Sequence, residues 1–352
     1  MLLRSWIAAL GNGDGPELDA LGVSSSMVYW ANFLYREPTV PEAACETAET
    51  MERTGVDDID IDWARHTSGE EAAMVAGLAA KIGFSELAAS AAEKLSPGAS
   101  EEPAPGASEK PAPGTHAARP EGEFEWVPLP GPVKRELMKI LLRDVHHYLY
   151  NTTFSLRPGE SYAIQDVIRA EVVRILGEAA ARPGPHLLVT HSMGTVIAYD
   201  CLKRVPDCPP VDALVTIGSP VGLDEIQDGL KPGWSRHDGF PVERLPRQWV
   251  NVFDRLDPVA GFAPALAGDY QRAGSKVVRD VHEPNYGRWR HSISKYLVGE
   301  TADRSGRTAR RVGRSRDVLE QRIDREAADR GGDFRPAGRG PDMHRACRPS
   351  PE

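Results

Sequence analysis

Apolar residues follow two rhythms along this chain. From 70 to 95 and from 132 to 180 they return every three or four positions. From 186 to 280 they gather in short unbroken runs. Ala72, Val75, Leu78, Ala79 and Ile82 share one face of a helix over 70–95. Pro132, at the favoured first position, opens a second helix whose stripe is Leu137, Met138, Leu141, Leu142, Val145, Tyr148 and Leu149. Ile164, Ile168, Val172 and Ile175 mark a third, closed by Arg182-Pro183-Gly184-Pro185. The runs at 186–191, 213–217, 249–254 and 276–280 read as strands, with a helix over 194–204. Unbroken apolar runs belong to strands buried on both faces. Upstream, Val23 to Tyr35 reads as a strand running into a turn. Strands alternating with helices predict an α/β fold, a mostly parallel sheet flanked by helices, whose ligands bind beyond the carboxyl ends of the strands.

The rhythm stops in two places. Residues 96–122 contain no Val, Ile, Leu, Met, Phe, Trp or Tyr, and PGASEEPA (97–104) recurs as PGASEKPA (105–112). Nothing there can be buried to offset the entropy of ordering, so a disordered insertion is expected. Residues 300–352 hold one aromatic, Phe334, and carry thirteen Arg against ten Asp and Glu. A disordered Arg-rich tail is expected there, with a short helix around Val318–Ala328. What remains is one domain over 1–299 within a chain of 352 residues.

Composition narrows the function. The net charge of −9 lacks the basic excess of a nucleic-acid binder. No run of 18 apolar residues is present, so no transmembrane segment is expected. The apolar stretch at the amino end is too short for a secretory core, which makes a cytoplasmic location the default. Cys45, Cys201, Cys208 and Cys347 are too few for a disulfide framework. Asp57, Asp58, Asp60 and Asp62 crowd together without the glycine and closing glutamate of an EF-hand, so a solvated loop is expected and no metal. His146 and His147 near a helix end suit packing and dipole complementarity.

One constellation carries chemistry. Thr190-His191-Ser192-Met193-Gly194 lies where a buried strand turns into a helix. A serine on such a turn is lifted clear of the sheet, and small residues two before and two after ease the approach of strand and helix. Gly194 meets that need; Thr190 stands where glycine is usual. The plain alternative is a serine that caps a helix. A nucleophilic serine needs a base, and the base a carboxylate. Asp257 follows the strand at 249–254 and His291 follows the strand at 276–280, in the order Ser, Asp, His. Asp254 is the alternative acid and His282 the alternative base. His237 breaks the order, and His191 adjoins the serine on a turn where neighbours point apart, so a packing role is expected for it.

THSMGTVIAYD (190–200), LVTIGSPVG (214–222), WVNVFDRLDPVA (249–260) and RHSISKYL (290–297) make the chain resemble serine hydrolases of the α/β-hydrolase superfamily, in a bacterial lipase/esterase-like branch. VYWANFLY (28–35) and RDVHHYLYN (143–151) join the resemblance, which spans 1–299 without the repeat. It implies Ser192 as nucleophile, Asp257 as acid and His291 as base, a histidine followed by Ser and then an aromatic marking that loop. Gly218-Ser219-Pro220 resembles the family's turn beside the pocket. Relatives place a strand and a His-Gly loop ahead of the helix that here reads RSWIAAL. The sheet is therefore expected to lack its N-terminal strand or strands, with the Met193 N–H as the obvious oxyanion donor. Either the chain starts inside a longer reading frame or this copy has lost the loop.

The expected activity is hydrolysis of a small-molecule carboxylic ester through an acyl-enzyme, with no metal or organic cofactor. The same three residues would serve a thioesterase, amidase or acyltransferase. A catalytically inactive binding protein is the third reading. Protein partners are left open.

Overall fold

Four parallel strands carry the fold in the computed structural model, which describes residues 3–4, 6–7, 22–36, 62–65, 67, 69–93, 138–285, 287, 289–298, 300–302 and 308–310. The repeat at 96–122, Pro132, Leu137, Asp57, Asp58, Asp60 and the helix expected at 318–328 lie outside those residues.

The first helices are α1 (Asp62–Arg65), α2 (Glu70–Lys81) and α3 (Ser85–Glu93). The single helix expected over 70–95 is two. Gly83 takes φ 77°, its N–H returns to Ala80 O and the Phe84 N–H to Ala79 O. That is a left-handed glycine stop, which a residue with a side chain would make only under strain. The expected face holds: Ala72, Val75, Leu78, Ala79 and Ile82 are all buried.

Met138–Asp144 forms a π-helical segment that continues into α4 (Val145–Leu149). The sequence reading expects uniform α-helix here. The wider turns still bury Leu141, Leu142, Val145, Tyr148 and Leu149. A small ribbon follows, β1 (Thr153–Phe154) against β2 (Tyr162–Ala163). Then comes α5 (Ile164–Ala180), whose first turn is capped by Asn151 Oδ1, accepting the N–H groups of Gln165 and Asp166.

The sheet is β3 (Leu187–His191), β4 (Ala213–Ile217), β5 (Gln248–Phe253) and β6 (Arg279–His282), all parallel and in that spatial order. Helices α6 (Met193–Arg204) and α7 (Asp224–Gly229) connect its strands. After β6 come α8 (Ile293–Val298) and a ribbon of β7 (Glu300–Ala302) with β8 (Thr308–Arg310).

Side chains alternate between two apolar layers, as the pleat requires. Leu214 and Trp249 join the large core with α2, α4, α5 and α6. Val215, Ile217, Val250 and Val252 pack on the other face against Tyr296 and Leu297 of α8.

Two expectations shift. The last strand starts at Arg279, three residues later than the expected start at 276, because Arg272 and Ser275 close a tight turn just before it and Val277 stays exposed. The segment from Val23 keeps its turn, a 3-10 helix at Trp30–Phe33, but not its strand: residues 23–29 have no ladder partner among the described residues. Val28, Trp30, Phe33 and Tyr35 pack on the large core instead. Among the described residues, no helix is long and apolar enough to cross a membrane.

Candidate active site

Ser192 sits between β3 and α6 with φ 54° and ψ −133°. A non-glycine residue in that region costs about 1–3 kcal/mol and persists only where its surroundings fix it. They do so here. The Ser192 N–H donates to Ile217 O at 3.1 Å, and Ser192 O accepts from Thr195 N–H at 2.9 Å and Thr195 Oγ1 at 2.7 Å. The hydroxyl makes no capping bond to α6, which removes the plain reading of a helix-cap serine. Met193 is the first residue of α6. Its N–H belongs to the first turn, where amides have no partner inside the helix and the helix dipole is positive.

Thr190 is tolerated where glycine is usual because it is buried with Oγ1 bonded to Val215 O, at 3.3 Å, on the neighbouring strand. The open side of Gly194 faces Trp30, whose indole nitrogen would lie 3.6 Å from a Cβ there.

Asp257 lies in the turn after β5, wholly buried. Its Oδ1 accepts the N–H groups of Val259 (2.7 Å) and Ala260 (3.1 Å). His291 Nδ1 spans both carboxylate oxygens, at 3.0 and 2.9 Å, and Tyr296 Oη donates to Oδ2 at 2.7 Å. Burial alone would raise this carboxyl's pKa. The charge of His291 and the hydrogen bonds of His291, Val259 and Tyr296 outweigh it and hold the group below the usual Asp value.

With Nδ1 committed to a carboxylate, the lone pair of His291 is on Nε2, which is buried and has no hydrogen-bond partner among the described residues. A Ser192–His291 hydrogen bond is not formed, yet the two residues share neighbours. His191 stacks on the His291 ring, and the residue after Ile217, Gly218, is packed against it. A Cβ on Gly218 would come within 3.1 Å of His291 Nδ1 and 3.0 Å of Asp257 Oδ2, and its φ of 56° also favours glycine.

The structure thus brings Asp257 and His291 together and sets the Ser192 turn beside them. The alternatives are employed elsewhere. The Asp254 carboxylate accepts from Leu256 N–H (3.0 Å), Asn285 N–H (2.9 Å) and Arg290 Nη1 (3.1 Å), tying down the loop after β6. His282 rests on Phe253, and the carboxylate beside it is Asp254, 3.8 Å from Nε2. His237 lies against Gly274. His146 is buried between Trp63 and Tyr150, with Nε2 3.5 Å from Glu71. Among the described residues no three His, Cys, Asp or Glu side chains gather as a metal site.

Sequence reasoning missed the contact of Tyr296 with Asp257 and that of Trp30 with the turn. For Tyr296 the only signal was an aromatic shortly after His291 in RHSISKYL.

A parallel sheet with a strained serine at a strand–helix turn, and a histidine–carboxylate pair on the loops after later strands, is the frame of the α/β hydrolases. The chain belongs to that family: the sequence profile described as "Alpha/beta hydrolase family" matches residues 140–336, more than half of its length. Comparison with curated proteins and with solved structures returns no match.

Proposed function

We propose that this chain is a serine hydrolase acting on a carboxylic ester through Ser192, His291 and Asp257. The observation that carries the reading is His291: Nδ1 is held on Asp257, Nε2 is left without a partner among the described residues, and the ring is stacked by His191, the neighbour of a serine whose hydroxyl makes no capping bond. Ser192 Oγ attacks the ester carbonyl carbon while its proton passes to His291 Nε2. Asp257 balances the imidazolium, and the Met193 N–H donates to the oxyanion. Collapse breaks the carbon–oxygen bond, and the alcohol leaves with the proton from His291. Water, deprotonated by the same nitrogen, then attacks the acyl-serine, releasing the acid and restoring Ser192.

The test is labelling of the full chain with a fluorophosphonate probe. Labelling of wild type, its loss in Ser192→Ala and its strong slowing in His291→Ala support the reading. Equal labelling of wild type and Ser192→Ala overturns Ser192 as nucleophile. A second reading, a binding protein without turnover, is favoured by the missing Ser192–His291 hydrogen bond. It predicts no labelling of any form.

A further inference from the structure

We infer that Tyr296 is a positioning residue for the base. The inference rests on the hydrolase reading for its purpose, and on the geometry around Asp257 for its content. Tyr296 is fully buried on α8, five residues after His291. Its hydroxyl accepts the Asp254 N–H at 2.8 Å and donates to Asp257 Oδ2 at 2.7 Å. The direction is fixed: a backbone N–H can only donate, so the single phenolic proton goes to the carboxylate. Burial, with Asp257 next to it, pushes the phenol's pKa far above the ordinary tyrosine value, which keeps that proton in place.

The two oxygens of Asp257 are served differently. Oδ1 has two backbone donors besides His291. Oδ2 has His291 and Tyr296. Tyr296 therefore sets how the carboxylate faces the imidazole and draws part of its charge away from Oδ2. A donor to a carboxylate favours its ionised form and weakens its hold on other protons. One short segment so delivers both the base and the group that orients the base's partner, and it ties the end of β5 to α8 through Asp254. The titratable groups around this pair are Asp254 at the end of β5, Asp257 and His291 themselves, and His191 at the end of β3.

Tyr296→Phe in the full chain tests this, since it keeps the buried ring and removes only the hydroxyl. Two measurements are made: kcat and KM for a p-nitrophenyl ester across pH, and the proton resonance of the His291 Nδ1–H in the free protein. The expected result is a fall in kcat of about tenfold with KM nearly unchanged, the scale of one lost hydrogen bond to a charged group. The acid limb of the profile should move to higher pH, because a carboxylate relieved of its donor holds the protonated imidazole harder. The resonance should shift in parallel. A folded Tyr296→Phe with both limb and resonance unmoved overturns the proposal, whatever its stability. The resonance needs no substrate, so it decides the role of Tyr296 even if wild type fails to turn over, a failure that would count against the hydrolase reading alone.

Discussion

His191 lies flat on His291, ring centroids 4.6 Å apart and planes 29° apart, and its Nε2 donates to the carbonyl oxygen of that same residue at 2.9 Å. Burial, and then the charge of His291, depress the His191 pKa to about 3. It therefore stays neutral across the working range and offers an uncharged face to a ring that must become positive. A neutral π-face beside a cation is attractive, where a second imidazolium would repel. The residue next to the serine is thus tied to the base, 100 positions away in the chain.

Replacing His191 separates these two contributions. His191→Ala removes both the face and the donor, and kcat should fall by about tenfold or more, the scale of one or two lost contacts of this kind. His191→Phe keeps a face and loses the N–H, and should fall less. Ester hydrolysis at saturating substrate distinguishes them; equal losses would mean that only the hydrogen bond matters.

Gly218→Ala should disable the site while leaving most of the fold intact. The added methyl would press on Asp257 Oδ2 at 3.0 Å and on His291 Nδ1 and Cε1 at 3.1 and 3.2 Å, and the positive φ adds strain. Fluorophosphonate labelling should slow by roughly a hundredfold through misplacement of the base. Thermal unfolding should show a loss of about 1–3 kcal/mol.

The strain at Ser192 can be measured separately from its chemistry. With φ at 54°, the position suits glycine better than any residue with a Cβ. Ser192→Gly should be about 1–2 kcal/mol more stable than Ser192→Ala, while neither hydrolyses ester. Denaturant midpoints of the two variants give the comparison. Equal midpoints would mean that the turn is relaxed.

Much of this arrangement could be read along the chain, for local reasons. The run Ala213–Ile217 is apolar but for Thr216 and lies buried as a central strand, where pattern and burial agree. Ser192 and Asp257 fall just past a strand, and His291 lies on the loop after the last strand of the sheet, so the chain order brings all three toward one end of it. What could not be read depends on contacts distant in sequence. No local pattern says that the Asp254 carboxylate is spent on Asn285 and Arg290, which is what separates it from Asp257. Nor does an aromatic at 296 announce a hydroxyl on Asp257. Val23–Tyr29 has strand composition and no ladder partner among the described residues, because pairing depends on a neighbour rather than on propensity. The split of the helix at Gly83 was available: an isolated glycine in a helical run signals a stop when the residues after it can close back on the last turn.

Acid lability should trace in good part to His146. Burial lowers its pKa to about 4 from an ordinary 6.5, among the rings of Trp63, His147 and Tyr150. Glu71, 3.5 Å away, has its own pKa raised by burial. A histidine whose folded pKa is depressed binds protons more readily when unfolded. Its contribution is fully present above pH 6.5 and is lost as the pH falls toward 4. A shift of this size corresponds to about 3 kcal/mol as an upper figure. His191, lower still, adds to the loss over the same window, and Asp257, with its depressed carboxyl, adds to it below the ordinary Asp range. His146→Phe keeps an aromatic ring between Trp63 and Tyr150 but cannot take a proton. Urea unfolding at pH 7 and pH 5 should show wild type losing more stability than His146→Phe over that interval. Parallel losses in the two proteins would show that His146 does not titrate with folding.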